Sequence, residues 1–182
     1  MTAEKSRPRL TLLRPGASEP APEGFDALYE RYGAYVAGTA ARLLGRQDGV
    51  DDVVQEVFLA VVRTEPRFAT AEDARRWMSA VTSRVAMRWL AKWRWKRRLS
   101  LRTAEARAVP APGASPEQRA LLHRVYELLD ELPAEARAAW ILRRMAGEKL
   151  EDVARTLGFS LATAKRRIAR ADALLAEVLD DG

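Results

Sequence analysis

The sequence predicts an all-α protein: two small helical domains joined by a flexible linker. Three observations carry this. After Phe25, apolar residues recur at spacings of three and four, the signature of amphipathic helices. No segment has the two-residue alternation of a half-buried strand. Residues 102–115, RTAEARAVPAPGAS, lose all apolar period and fill with alanine, proline and glycine, the composition of a linker. The expected boundaries are a disordered tail over 1–22, a first domain over 23–100, a linker over 101–115 and a second domain over 116–182.

The elements follow in order. The tail holds Pro8, Pro15, Pro20 and Pro22 and has no helical period. Phe25, Leu28, Tyr29, Tyr32, Val36, Ala40 and Leu43 then line one face of a first helix, and Gly45 stops it. In DGVDDVVQEVFLAVV, Val50, Val53, Val54, Val57, Phe58 and Val61 form an apolar face. Asp51, Asp52, Gln55 and Glu56 lie mainly off it, with Asp48 placed as N-cap. Thr70 and Asp73 have the spacing of a capping box and open a long helix into the high 90s, with Trp77, Val81, Val85 and Trp89 as its buried stripe. Ser115-Pro116-Glu117-Gln118 announces a helix with a seam of Leu121, Val125, Leu128 and Leu132. Pro133 starts another that runs through Met145, and Gly147 breaks it. Leu150 to Leu157 forms a short helix ended by Gly158, and a last helix follows.

Composition narrows the partners. The chain of 182 residues carries a net charge of +6, a balance that favours polyanions such as nucleic acid. It has no cysteine, which excludes disulfides, thiolate metal sites and cysteine nucleophiles and fits a reducing compartment. Its single histidine, His123, has only Glu127 at i,i+4, far short of a metal site, and no glycine-rich phosphate loop occurs. No apolar run is long enough to span a membrane, and the first residues lack the apolar stretch of a signal peptide. The expectation is a cytoplasmic, non-enzymatic protein with no metal or cofactor and no membrane insertion.

Two segments point to nucleic acid. In EKLEDVARTLGFSLATAKRRIARADALL, a short amphipathic helix meets a Gly158-Phe159-Ser160 turn. In the helix after it, Leu161, Ala164, Ile168, Ala171 and Leu175 share a face, and Ala162, Thr163, Arg166 and Arg170 lie opposite, flanked by Lys165 and Arg167. That is the layout of a helix-turn-helix, whose second helix enters the major groove, where arginine reads guanine or grips phosphate. The second segment, Ala74 to Ala104, contains no acid. It carries Arg84, Arg88, Lys92 and Arg94 among other cations, interleaved with Trp89, Trp93 and Trp95. Cations neutralise phosphates and indoles stack on unpaired bases.

With these segments in place, the sequence resembles the extracytoplasmic function (ECF) sigma factors of bacterial RNA polymerase over about residues 24–180. FDALYERYGAYVAGTAARLLG is similar to the opening of sigma region 2, and DDVVQEVFLAVV to its most recognisable helix. LPAEARAAWILRRMAGEKLEDVARTLGFSLATAKRRIARADALL is similar to region 4. The resemblance implies a promoter-specificity subunit, with core polymerase (the β′ clamp helices and the β flap), promoter DNA and an anti-sigma factor as partners. It implies core contacts for Asp51, Asp52, Gln55 and Glu56, and −35 contacts for Ser160, Thr163, Lys165, Arg166, Arg167 and Arg170. The turn from Thr64 to Glu72 and the helix after it would recognise and open the −10 element, with Arg84, Arg88, Lys92, Trp93, Arg94 and Trp95 on the melted strand. At Arg84 and Arg88 the sequence departs from the family, which typically has asparagine and then an acidic or amide residue. A sigma mimic that binds polymerase or an anti-sigma factor without opening promoters is therefore an alternative, and a helix-turn-helix repressor is another.

Overall fold

The computed structural model describes residues 19–99 and 114–180, so the expected tail up to residue 18 and most of the expected linker lie outside the described residues. Within them the only β-type pairing is one isolated bridge, between Pro20 and Thr70. The first unit is α1 (Phe25–Leu44), α2 (Val50–Thr64) and α3 (Ala71–Leu99). The second is α4 (Pro116–Leu129), α5 (Ala134–Trp140) with a π-helical turn over Ile141–Met145, α6 (Leu150–Leu157) and α7 (Leu161–Asp180).

The caps explain most of the boundaries. Gly45, left-handed at φ 69, ends α1, with its N–H bonded to the Ala41 carbonyl. Thr70 Oγ1 accepts from the Asp73 N–H at 3.1 Å and donates to the Asp73 carboxylate, opening α3 as its spacing predicts. Ser115 and Gln118 form the reciprocal capping box at the start of α4. The N-cap of α2 is Gly49 rather than Asp48. The backbone there needs φ 87, which glycine takes without a Cβ penalty, and Asp48 sits one residue too early.

Three further expectations change. Residues 19–22, assigned to the tail, are laid against the first unit: the Ala71 N–H bonds the Glu19 carbonyl at 2.8 Å, and Arg31 clasps the Glu19 carboxylate. In α3 the buried stripe runs through Ala74, Met78, Val81, Val85 and Leu90, while Trp77 and Trp89 are half-buried on its flank. The helix expected from Pro133 to Met145 widens after Trp140, where the Ala146 N–H reaches back five residues to the Ile141 carbonyl. The wider turn keeps Trp140, Ile141 and Leu142 all buried while Arg143 and Arg144 face solvent.

The second unit lies directly on the first. One continuous apolar core runs from Leu28 and Val36 of α1 through Met78 and Val85 of α3 to Ile141, Leu157 and Leu175. Its polar seam is built at the C-terminus of α1, where the last carbonyls have no intrahelical partner. Arg137, 3% exposed, donates to the Leu43 carbonyl at 3.0 Å and the Leu44 carbonyl at 2.7 Å, and its guanidinium pairs with Asp130. The Tyr126 hydroxyl donates to the Arg42 carbonyl at 2.8 Å. A cation at the negative end of a helix dipole is well placed, so α1 is capped in part by the second unit.

Candidate nucleic-acid and partner-docking surfaces

The helix-turn-helix forms as its residues dictate. Gly158 takes φ 70 to end α6, and the Phe159 N–H returns to the Ala154 carbonyl at 2.8 Å. Ser160 caps α7 by accepting from the Thr163 N–H at 3.2 Å, and its hydroxyl also donates to Thr163 Oγ1 at 3.0 Å. Ala164, Ile168, Ala171 and Leu175 are buried as expected, whereas Leu161 at the start of α7 is 49% exposed. Opposite the core, Ser160, Lys165, Arg166 and Arg170 are exposed and Thr163 is partly so.

Arg167 is turned aside. It is half-buried, with its guanidinium 4.0 Å above the Phe159 ring, so it braces the turn. Asp172 is tied to Trp140 Nε1 at 2.9 Å and paired with Arg144 at 2.7 Å. The Arg144 hydrogen bond holds its carboxyl below the usual aspartate range, although partial burial opposes this. That acid beside the cationic face is thus neutralised, and Lys165, Arg166 and Arg170 present a surface of the kind that grips phosphate.

Helix α3 divides its six predicted residues between two faces. Arg84, Arg88, Lys92 and Trp95 share one face at helical spacing and are exposed, Trp95 by 65%. Arg88 pairs with Glu56 of α2, which also accepts from Trp89 Nε1 at 3.4 Å. Trp93 and Arg94 point toward the second unit instead. The Arg46 guanidinium lies 3.3 Å from the centre of the Trp93 ring, and Arg94 donates to the Leu132 and Glu131 carbonyls. Six residues over about three turns cannot share one face, and a second packed unit claims the other side.

On α2, Asp51, Asp52 and Gln55 are exposed and Glu56 is partly covered by its α3 partners. Asp51 and Gln55 rim a groove of about 450 Å³ whose floor is apolar. Sequence reasoning missed this floor. Phe25 and Tyr29, placed on the apolar face of α1 by spacing, remain 42% and 51% exposed. They close an aromatic cluster with Phe58, the Tyr29 and Phe58 centroids 4.8 Å apart. Leu59 and Val62 of α2 continue the floor, 43% and 54% exposed. The signal was present in α2, which has more apolar positions than one core face can bury. Such a floor with a polar rim suits the apolar stripe of a partner helix. His123, by contrast, pairs with Glu127 at 3.4 Å on the surface.

Residues 28–96 match Sigma-70 region 2 and residues 122–173 match Sigma-70 region 4, together more than half of the chain. The ECF RNA polymerase sigma factor SigC of Mycobacterium tuberculosis is 31% identical over 142 residues, covering 72% of this chain and 71% of that protein. SigE of Mycolicibacterium smegmatis, also described as an ECF RNA polymerase sigma factor, is 30% identical over 80% of this chain, which spans 58% of that longer relative. The sigma factor RpoE of Bartonella quintana, solved with the anti-sigma factor NepR, shares the fold at a TM-score of 0.64 and 22% identity. The match covers 86% of this chain and 96% of that one.

Proposed function

Because the chain belongs to the ECF sigma factors of bacterial RNA polymerase, we propose that it is a promoter-specificity subunit whose α2 groove docks core polymerase and whose α7 reads upstream duplex. The observation that carries this is the pairing of two surfaces in family order: an apolar groove rimmed by Asp51 and Gln55, then a helix-turn-helix with Lys165, Arg166 and Arg170 exposed. The groove has the shape and polarity to receive helices such as the β′ clamp helices. The cationic face of α7 fits the −35 element, Lys165, Arg166 and Arg170 making phosphate or guanine contacts and Ser160 and Thr163 fixing the helix end. Arg84, Arg88, Lys92 and Trp95 form the surface for the melted −10 strand, cations on phosphate and the indole against a base. The β flap is the partner expected for region 4. An anti-sigma factor is the expected regulator, on the analogy of the RpoE complex. No bond is made or broken in this role: binding energy separates the strands, and the chain is read as a non-enzymatic regulatory subunit acting beside the polymerase.

One observation favours a second reading. Arg88, where the family pattern has an acidic or amide residue, is engaged by Glu56, and a mimic that docks on polymerase without opening promoters would tolerate that. The test is to combine the purified chain with bacterial core polymerase, transcribe fragmented genomic DNA and map the RNA 5′ ends. Discrete starts sharing two upstream motifs support the sigma reading. Stable binding to core without specific starts supports the mimic, and no binding to core leaves the repressor.

A further inference from the structure

We propose that residues 19–22 form a strap that positions the turn between α2 and α3, with Glu19 and Arg31 as positioning residues that sharpen −10 selection. The consequence rests on the sigma reading, in which that turn recognises the −10 element; the strap itself rests on contacts. Ala71, the first residue of α3, is gripped through both of its main-chain groups. Its N–H donates to the Glu19 carbonyl at 2.8 Å, and its carbonyl accepts from the Tyr32 hydroxyl at 2.7 Å. An N–H in the first turn of a helix has no intrahelical acceptor, so the strap supplies one. Arg31, next to Tyr32 on α1, donates through both Nη atoms to the Glu19 carboxylate, from Nη1 at 2.8 Å. Pro20 bridges Thr70, and Ala21 packs against the core.

The strap acts where the turn meets α3. At its other end the turn leaves α2 through Glu65, left-handed at φ 41, whose N–H returns to the Val61 carbonyl at 2.9 Å. Between the two ends Phe68 folds onto Trp77, ring centroids 5.8 Å apart, while Arg67 and Ala69 are exposed. Those two are what the turn offers to a promoter strand, and Ala69 lies one residue from the bridge between Pro20 and Thr70. A shift of the strap therefore moves the presenting residues directly. The body of α3 is held separately: one turn on, Arg75 pairs with Glu148 of the second unit at 3.1 Å. Pro20 and Pro22 fix φ near about −65°, so the strap is stiff before it docks. The Glu19 and Arg31 side chains are exposed, and exposed ion pairs add little to folding stability. Their work is to set the register of the strap.

Two measurements on the full chain test this. In the free chain, hydrogen exchange at the Ala71 amide is followed by NMR. Arg31→Glu sets two carboxylates against each other and is expected to speed that exchange several-fold. Adding Glu19→Arg restores the pair with its signs reversed and is expected to restore protection, which a variant that simply fails to fold would not do. With bacterial core polymerase, a promoter taken from the mapped starts is then transcribed with its −10 and −35 elements randomised in turn. Arg31→Glu is expected to flatten the preference among −10 sequences several-fold and to leave the order of −35 sequences unchanged, and the double variant is expected to recover both. An Ala71 amide that exchanges equally fast in wild type and Arg31→Glu overturns the strap. Discrete starts whose −10 preference is indifferent to Arg31→Glu overturn its role in selection and leave the sigma reading standing. A wild-type chain that gives no discrete starts, while Ala71 protection still follows the charge pair, supports the strap and sinks the sigma reading together with the −10 consequence.

Discussion

Gly45 is where the backbone and the docking joint meet. It sits at φ 69, and a Cβ added there would lie 2.6 Å from Tyr126 Cε1 and 2.8 Å from Arg137 Nη2. Gly45→Ala is therefore expected to lower stability by about 1–3 kcal/mol, read by urea unfolding, because it combines left-handed strain with a collision. Burial pushes the Tyr126 phenol up to about 12, so its hydroxyl stays a donor to Arg42 across the physiological range. Asp172 gives a pH signature of the opposite sign. Its carboxyl is held below the ordinary value, so the stability it adds is complete above the unfolded aspartate pKa of about 3.9 and is lost as pH falls below that. Asp172→Asn is expected to flatten the acid side of the stability curve below about pH 4 relative to wild type, measured by thermal melts across pH. Of these residues the sequence made Gly45 readable as a helix stop. It did not disclose Arg137, whose only hint is that one charge interrupts the run Ala136 to Leu142, later found buried throughout.

Among the helices, α2 and α7 are amphipathic in different senses. Helix α7 has one buried stripe and one cationic face, so its residues could be assigned from spacing alone, apart from Arg167, whose pairing with Phe159 depends on the path of the turn. Helix α2 buries Val53, Val57 and Val61 and still exposes Leu59 and Val62. Periodicity finds the first set and passes over the second, because a partner's absence is not written in the spacing. Val62→Glu is expected to weaken binding to core polymerase at least tenfold in a pull-down or titration, while its exposure keeps the change in folding stability within about 0.5 kcal/mol. On α7, Arg170→Ala is expected to weaken duplex binding by the chain about equally across sequences. It should also reduce the slope of log K against log salt by about one, as loss of a phosphate contact does. In α3 the composition was legible but the partition was not. Trp93 and Arg94 were separated from Arg84, Arg88, Lys92 and Trp95 only once a second unit was packed against the helix.

For the whole molecule, helix order and all-α class were available from the sequence, and the contact between the two units was not. It joins residues nearly a hundred positions apart, Leu43 to Arg137, through backbone carbonyls that carry no sequence information. The shared apolar core predicts that wild type unfolds in one calorimetric transition, whereas Glu148→Lys should separate two. The chemistry of the joint also bears on how readily it parts. An apolar face of similar size would meet water as oily surface when the units separate, and would resist in proportion to the area uncovered. Here, the apolar core is edged by a polar seam of a helix end, a guanidinium and a phenol. Each finds water at once, and a protein hydrogen bond exchanged for a hydrated pair changes free energy by only about 1 kcal/mol. Parting the units therefore wets a polar seam at little cost, while the apolar core they share is the part that resists.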